Sequence, residues 1–302
     1  MGRYFLSSMK SRLYVIRLKK IESIKSIILT KNEEINIKEC IESISNMVKR
    51  IVVIDSYSTD KTVEIAHTCG AEVYQHPFEN YAKQYMYGVE VAKPETVWTL
   101  RIDADERFTQ DSATELEKLC SENMESDVTG ITLRFRKNFL GKDLYHGGVY
   151  PWKKMNCYKT KYGAIENRNM DEHIILSKGR VIDMKNDCLH FDFKSLDFFI
   201  NKHNWYSSRE ALDYFEHEKK HANKENSDSR TWIKMNVYYK LPMGMRAHFY
   251  YLYRYYVKAG FLDGTEGKIY AFLQAYWYRY LVDAKIYEHK KYKNALGQEN
   301  YN

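Results

Sequence analysis

The stretch "WTLRIDADERF", Trp98–Phe108, decides the fold, because it runs an apolar strand directly into a cluster of acids. The alternating side chains of Trp98, Leu100 and Ile102 predict a buried strand. Three carboxylates follow it at once: Asp103, Asp105 and Glu106. Like charges this close repel one another, and burial raises the free energy of each, so we expect a positive partner at the end of this strand.

Strands and helices alternate in the part of the chain that leads to this stretch. The predicted strands cover residues 23–30, 51–55, 71–78 and 96–103. The predicted helices cover residues 31–47, 60–70 and 80–94, and Asn32 is the expected N-cap of the first. This alternation indicates an α/β fold with a mostly parallel sheet flanked by helices. No GxGxxG or GxxxxGK[ST] sequence follows a strand, which argues against dinucleotide and P-loop sites.

Composition and charge limit the classes of protein and partner. The chain has 302 residues, 44% of them hydrophobic, 27 tyrosines and a net charge of +7. A positive chain favours an anionic partner, such as nucleic acid, a phosphorylated substrate or an anionic membrane face. The five cysteines are widely spaced and form no CxxC pair, so we expect reduced thiols in a cytosolic compartment.

The composition predicts three regions. Residues 1–25 are a basic leader, interpreted as disordered, with an amphipathic membrane-seeking arm as the alternative. Residues 26–195 carry the α/β pattern. Residues 196–302 begin with a polar part, in which 217–230 is the expected exposed linker. An aromatic and basic helical extension follows, which we interpret as a membrane-interface or acceptor region. A dimerisation surface or plain packing on the first region remains open for that extension.

The acids fall at predicted strand ends. Asp55 ends the second strand, and Asp103 and Asp105 end the fourth. Ligands of open α/β sheets bind outside the carboxyl ends of the strands. Paired carboxylates there suit Mg²⁺ or Mn²⁺ carrying a diphosphate. The alternative is an exposed acidic loop with Arg101 and Arg107 as local partners.

The order of short motifs adds a resemblance to a known family. The three motifs at strand ends are "ILTKNEE" at 28–34, "VIDSYSTD" at 53–60 and "DADE" at 103–106. Three later ones are "MDEH" at 170–173, "KHNWYS" at 202–207 and "GFLDGTEG" at 260–267. The sequence resembles the family 2 glycosyltransferases, which have the GT-A fold with a Rossmann-like sheet. Within them it is most similar to the bacterial lipopolysaccharide-core and capsule branch. It departs from the family pattern in having Leu29 where proline is usual and Lys31 in place of an aromatic residue.

The resemblance implies roles for particular residues. Those expected to bind the nucleotide sugar are Thr30, Asn32, Glu33, Asp55, Lys83, Asp103 and Ala104, with Gln84 as an alternative to Lys83. Those expected to hold the metal are Asp105 and His190, although a histidine beside apolar neighbours is more often a core residue. The expected catalytic base is Glu172, with Asp171 as runner-up; a strand-capping role for this acidic pair is the alternative.

The resemblance also implies an activity. We expect an inverting glycosyltransferase that depends on Mn²⁺ or Mg²⁺ and uses a nucleotide-diphosphate sugar, with UDP as the first choice. The expected acceptor is a lipid-linked, lipopolysaccharide or capsule glycan, and the expected location is peripheral, on the cytoplasmic face of the inner membrane. A nucleic-acid partner is not expected, because it leaves the ordered acids unexplained: a carboxylate crevice repels phosphate when no metal is bound. The alternatives are a sugar nucleotidyltransferase, which would release pyrophosphate, and a non-catalytic membrane- or nucleic-acid-binding protein.

Overall fold

The computed structural model describes residues 23–93, 96–166, 173–222 and 241–292. The predicted leader therefore lies almost entirely outside the described residues. The chain divides into two compact units. The first contains residues 1–137 and 151–192, and the second contains residues 138–150 and 193–302. The predicted division into 26–195 and 196–302 did not anticipate that residues 138–150 belong with the second unit.

The first unit is built on a large twisted sheet. Its strands are β1 (Ile24–Thr30), β2 (Arg50–Asp55), β3 (Glu72–Gln75), β4 (Trp98–Asp103), β5 (Glu106–Arg107), β6 (Val128–Phe139), β8 (Trp152–Lys159) and β11 (Arg180–His190). They run in the order β3-β2-β1-β4-β8-β6-β11-β5. The pairs β1–β2, β1–β4, β2–β3 and β6–β11 are parallel, which confirms the predicted α/β class. A separate two-stranded sheet pairs β9 (Gly163–Ile165) with β10 (Ile174–Leu176).

The helices of the first unit are α1 (Ile37–Ile44), α2 (Thr62–Thr68), α3 (Tyr81–Ala92) and α4 (Gln110–Glu122). Every residue of β1 is buried, as expected for a central strand with both faces covered. In α1 the buried residues are Ile37, Cys40, Ile41 and Ile44, whose spacing places them on one helix face against the sheet. This packing holds the carboxyl ends of β1, β2 and β4 at one edge.

Two local predictions are wrong. Asn32 does not cap α1, because the chain makes a turn in which the amides of Asn36 and Ile37 donate to the Glu33 carbonyl, and the helix begins after Asn36. The expected linker at 217–230 does not begin at 217, because helix α5 (Leu196–Ala222) continues through residue 222. The remainder of that linker lies outside the described residues.

The second unit contains β7 (Lys142–Leu144) and the helices α5, α6 (Met245–Leu252), α7 (Gly264–Ala271) and α8 (Tyr278–Tyr292). A π-helical turn, Tyr253–Val257, extends α6, and a second one, Phe272–Trp277, joins α7 to α8. Helix α5 packs on α8 through Ala211 and Tyr214 of the first and Val282 and Ile286 of the second. Among the described residues, none of the helices combines the length and apolar character needed to cross a bilayer.

Candidate active site

Three strand ends meet at the carboxyl edge of the sheet. Strand β1 lies between β2 and β4, so its last residues are neighbours of acids on both sides. Thr30 is paired with Asp55 in the register, and Leu29 is paired with Asp103. The structure therefore brings together the acids that the sequence placed at separate strand ends.

The loops after β1 and β2 are tied to each other by hydrogen bonds. The Asn32 amide donates to Ser58 Oγ at 2.8 Å, and the Thr59 amide donates to Asn32 Oδ1 at 2.8 Å. The Glu33 amide donates to Thr62 Oγ1 at 2.8 Å. Asn32 adopts a φ of 54°, a left-handed conformation that asparagine tolerates better than most residues. These contacts make one preformed rim from two loops.

Asp55 is fully buried and anchors this rim. Its carboxylate accepts a hydrogen bond from the Ser58 amide at 2.8 Å and further ones from Ser58 Oγ and Gln75 Nε2. Thr30 Oγ1 is also buried and makes no hydrogen bond within the described part of the chain. Nearly all buried polar groups have a hydrogen-bond partner, so a buried hydroxyl without one in the protein is a candidate for a hydrogen bond to a ligand.

Gln84 reaches this rim, whereas Lys83 does not. Gln84 is buried, and its Nε2 donates to Ser56 Oγ at 3.0 Å. Ser56 is the residue that follows Asp55 in the sequence. Lys83 lies one position away on α3 and pairs with Glu79, which precedes the helix. Of the two candidates on this helix, the geometry favours Gln84.

Lys154 is a positive group that contacts two acids of the cluster. Its Nζ donates to Glu106 Oε1 at 2.6 Å and to Asp103 Oδ2 at 3.3 Å. The same ammonium lies 4.0 Å from the centre of the Trp152 ring. Glu106 is fully buried and accepts a further hydrogen bond from the Asp103 amide at 3.0 Å. The positive partner expected from the sequence is thus supplied, for these two acids, by a lysine of β8.

The charges of this cluster shift one another's pKa values. Burial raises the pKa of Asp103, but the Lys154 ammonium and the Arg101 guanidinium outweigh it and hold that pKa at about 2. Burial raises the pKa of Glu106 above its ordinary value, and the Asp103 charge adds to this. Burial lowers the pKa of Lys154, yet Glu106 and Asp103 outweigh it, so that the pKa lies well above its ordinary value. Asp103 and Lys154 are therefore charged at neutral pH.

Asp105 faces a histidine on a neighbouring strand. His190 Nε2 lies 3.7 Å from Asp105 Oδ2, and the pair is linked along the backbone because the Phe191 amide donates to the Asp105 carbonyl at 2.8 Å. His190 is buried, and its ring packs edge-on against Trp152 with ring centres 4.8 Å apart. The two proposed metal donors, far apart in the sequence, thus lie side by side.

This donor pair fits a divalent ion of the expected kind. A carboxylate and an imidazole suit Mn²⁺, and such ions are commonly held by one or two protein groups together with substrate phosphates and water. Within residues 23–93, 96–166, 173–222 and 241–292, no group of three His, Cys, Asp or Glu side chains is arranged to hold a metal. Asp103 is engaged by Lys154, which leaves its neighbours Asp105 and His190 as the expected donors among the described residues of this edge.

The expected base falls between two described strands. Asp171 and Glu172 lie outside the described residues, between β9 and β10. The strands on either side pair in register from Ile165 with Ile174 to Gly163 with Leu176. The acidic pair lies between these two strands in the sequence, and its role stays a prediction.

Comparison with known protein families decides the assignment. Residues 26–176, half of the chain, match the family described as glycosyl transferase family 2. The chain belongs to glycosyltransferase family 2. This confirms the resemblance drawn from the three strand-end motifs, and it makes the protein a glycosyltransferase with a nucleotide-sugar donor and a glycan acceptor as its general substrates.

Relatives of this glycosyltransferase match nearly its whole length. A Rickettsia typhi protein described as an uncharacterized glycosyltransferase is 26% identical over 290 residues, which cover 93% of this chain and 92% of the relative. The lipopolysaccharide core biosynthesis glycosyltransferase LpsC of Rhizobium meliloti is 25% identical over 278 residues, which cover 88% of this chain and 92% of the relative.

Solved structures give partial likenesses to this glycosyltransferase. Glucosyl-3-phosphoglycerate synthase of Mycobacterium tuberculosis, crystallised with Mn²⁺ and uridine diphosphate, aligns with a TM-score of 0.32 and 22% identity, over 38% of this chain and 44% of that one. Mannosyl-3-phosphoglycerate synthase of Rubrobacter xylanophilus aligns with a TM-score of 0.34 and 19% identity, over 40% of this chain and 42% of that one.

Lys154 is the residue of the glycosyltransferase site that the sequence analysis missed. It stands next to Lys153, which is exposed and paired with Asp183 at 2.6 Å, and the two lysines look alike in the sequence. The available signal was the strand alternation that puts Lys154 on the same face as Trp152. Only the order of the strands shows that this face meets the end of β4.

Proposed function

We propose that this glycosyltransferase is an inverting, metal-dependent enzyme that uses a nucleotide-diphosphate sugar, with UDP as the nucleotide. The observation that carries the proposal is the edge of the sheet that holds Asp55, Asp103 and the neighbouring pair Asp105 and His190. The orphaned, buried Thr30 hydroxyl beside Asp55 supports a ligand at the same edge.

Different residues of the edge would bind different parts of the donor. Asp55 and the rim formed by Asn32 and Ser58 would receive the base, because the rim is already held in one conformation before the donor arrives. Asp103 would receive hydroxyl groups of the ribose or sugar. Lys154 fixes the Asp103 carboxylate and keeps it ionised.

Asp105 and His190 would hold the divalent ion. When bound, a Mn²⁺ or Mg²⁺ ion at this place neutralises negative charge that develops on the leaving diphosphate. His190 is kept in position by Trp152 and by the backbone link between Phe191 and Asp105. Its neutral imidazole is the form that can donate an electron pair to a metal.

Glu172, with Asp171 as runner-up, would take the proton from the acceptor hydroxyl. A carboxylate on the face of the sugar opposite the leaving group lets one displacement invert the anomeric centre. The position of this pair between β9 and β10, both in the same unit as the acidic edge, supports the assignment.

The proposed acceptor is a lipid-linked or lipopolysaccharide-type glycan, with capsule glycans in the same class. The relative LpsC, by its name a lipopolysaccharide core biosynthesis enzyme, supports this choice because the two chains match over most of their lengths. The aromatic and basic character of the second unit is consistent with an acceptor that has a lipid part.

Release of nucleoside diphosphate tests the proposal. Purified protein is incubated with Mn²⁺ and a panel of UDP-, GDP- and CMP-sugars, and free nucleotide is measured together with nucleotide binding by calorimetry. We expect one UDP-sugar to give metal-dependent binding and slow release. Asp105→Ala should lower release by roughly a hundredfold or more, because charge stabilisation at a leaving group is worth several kcal/mol.

Asp127→Asn is the matched control, because Asp127 is exposed and pairs with Arg180 on the surface. It should behave as the parent protein does. Release of pyrophosphate would point to a nucleotidyltransferase instead. Equal binding of every nucleotide with and without the metal, unchanged in Asp105→Ala, would contradict the proposed site.

A further inference from the structure

Helix α6 and the π-helical turn that extends it expose apolar side chains of the kind that a surface helix normally buries. Their large apolar side chains recur every four residues and face solvent: Met245, Phe249, Tyr253 and Val257 are 40%, 53%, 45% and 72% exposed. A helix on the surface of a globular protein normally buries such a stripe and exposes its charges.

Another side of the same helix buries a charge. Arg246 is buried and its guanidinium pairs with the buried Asp283 of α8. The Gly244 amide donates to the same carboxylate at 3.1 Å, and Ala247 is fully buried beside them. A buried ion pair has a desolvation cost, and breaking it would leave an uncompensated charge. The orientation of the helix is therefore fixed by this pair, and the apolar residues point outward as a consequence.

The next turn continues the exposed surface. Phe261 and Leu262 are exposed in a short 3₁₀ turn, Gly260–Asp263, and Tyr256 is exposed just before it. The turn is tight: a Cβ on Gly260 would lie 2.9 Å from the Arg254 carbonyl oxygen. We call the exposed set the apolar stripe: Met245, Phe249, Tyr253, Tyr256, Val257, Phe261 and Leu262. Contiguous exposed apolar surfaces of this kind mark interaction sites.

The charges within the stripe identify its partner. Between Phe249 and Leu262 there is no acid, and the charged residues are Lys258 and the half-buried Arg254, whose Nε donates to the Gly147 carbonyl at 2.6 Å. The acid that follows, Asp263, is buried and accepts a hydrogen bond from the His146 amide at 2.8 Å. Lys258 is exposed. Exposed aromatic and apolar side chains suit either a protein interface or a bilayer surface. An exposed lysine among them, with no exposed acid, favours the headgroup region of an anionic bilayer, because protein interfaces are depleted in lysine.

We infer that the apolar stripe docks this protein on the surface of an anionic lipid bilayer, with Val257, Phe261 and Leu262 entering the boundary between headgroups and acyl chains. The docking would hold the protein peripherally on an anionic membrane face. It rests on the second unit alone and does not depend on the proposed donor or metal.

Co-sedimentation with vesicles tests the inference on the full chain. The vesicles contain phosphatidylcholine alone or with about a third phosphatidylglycerol. We expect the protein to pellet with the anionic vesicles, and high salt to weaken the binding. Val257→Asp with Phe261→Asp should lower the affinity by at least about tenfold, since it removes two apolar anchors and adds two repelled charges. Lys258→Gln should lower it by about fivefold on anionic vesicles and leave neutral vesicles unaffected.

The matched control replaces two apolar residues that are exposed elsewhere, Val181→Asp with Tyr287→Asp. It makes the same change in charge and should pellet as the parent protein does. Equal pelleting of the stripe variant would overturn the inference. A second result would also overturn it: the parent protein does not bind vesicles and is a dimer by light scattering, whereas the stripe variant is a monomer. The stripe would then bind a second copy of the chain.

Discussion

At the scale of single residues, Lys154 is the group on which the acidic cluster depends. Glu106 is fully buried, and Lys154 is its ion-pair partner at 2.6 Å. Lys154→Met would leave that carboxylate buried beside Asp103 without its counter-ion. We expect the free energy of unfolding in urea at neutral pH to fall by about 3–5 kcal/mol.

The neighbouring lysine provides the control for this prediction. Lys153→Met removes an exposed ion pair with Asp183 and should cost no more than about 1 kcal/mol. Adding Glu106→Gln to Lys154→Met should recover part of the loss, because the buried charge is gone. If the two lysine variants were equally stable, Lys154 would not be the counter-ion of this cluster.

At the scale of elements, the paired strands β9 and β10 flank the predicted base in the sequence. Gly163 of β9 lies under the ring of Tyr158, and a Cβ there would come within 2.0 Å of the ring. Gly163→Ala should therefore displace β9, lower stability by about 1–3 kcal/mol and reduce the rate of nucleotide release measured well below the melting temperature.

Gly70→Ala is the comparison for this prediction. Gly70 has a φ of 83° and open space around its Cα, so alanine there costs about 1–2 kcal/mol of backbone strain without moving β9. The two variants should lose similar stability, but only Gly163→Ala should lose turnover. Equal turnover would mean that these two strands do not position the base.

At the scale of the whole molecule, ionised carboxylates set the stability in acid. The pKa of Asp103 is held at about 2. Hydrogen bonds also lower the pKa values of three other carboxyl groups, each from a different donor: Thr62 to Asp60, Arg50 to Glu72 and Lys153 to Asp183. A lowered folded-state pKa gives stability that is complete above the unfolded pKa near 4 and is lost as the pH falls toward the folded value. We expect the free energy of unfolding to fall between about pH 4 and pH 2.

Asp103→Asn should flatten this fall, as measured by urea unfolding across the acid range. The raised pKa of Glu106 acts in the opposite direction, because the folded state takes up that proton at a higher pH than the unfolded state does. A slope that was unchanged in Asp103→Asn would show that Asp103 contributes nothing to the acid transition.

The sequence predicts the features that depend on neighbouring residues, such as where a strand ends. It does not predict contacts that depend on the order of the strands in the sheet. Asp55 and Asp103 could be placed at one edge, because each ends an apolar run. Lys154 could not, because its contact with Asp103 joins positions 51 residues apart across the β4–β8 pairing. The aromatic, basic character of the last helices was visible, but the side that faces solvent depends on the pairing of Arg246 with Asp283.

The internal ammonium of Lys154 has a consequence for inhibitor chemistry. Seen from solvent, the acidic edge is already partly neutralised, because one cation satisfies both Asp103 and Glu106. A cationic inhibitor would have to displace Lys154 to reach these acids. The attraction that it gained would do little to offset the free-energy cost of desolvating its own charge. Compounds aimed at this edge should instead offer neutral hydroxyl groups to Asp103 and an anionic chelating group to the divalent ion that is proposed at Asp105 and His190.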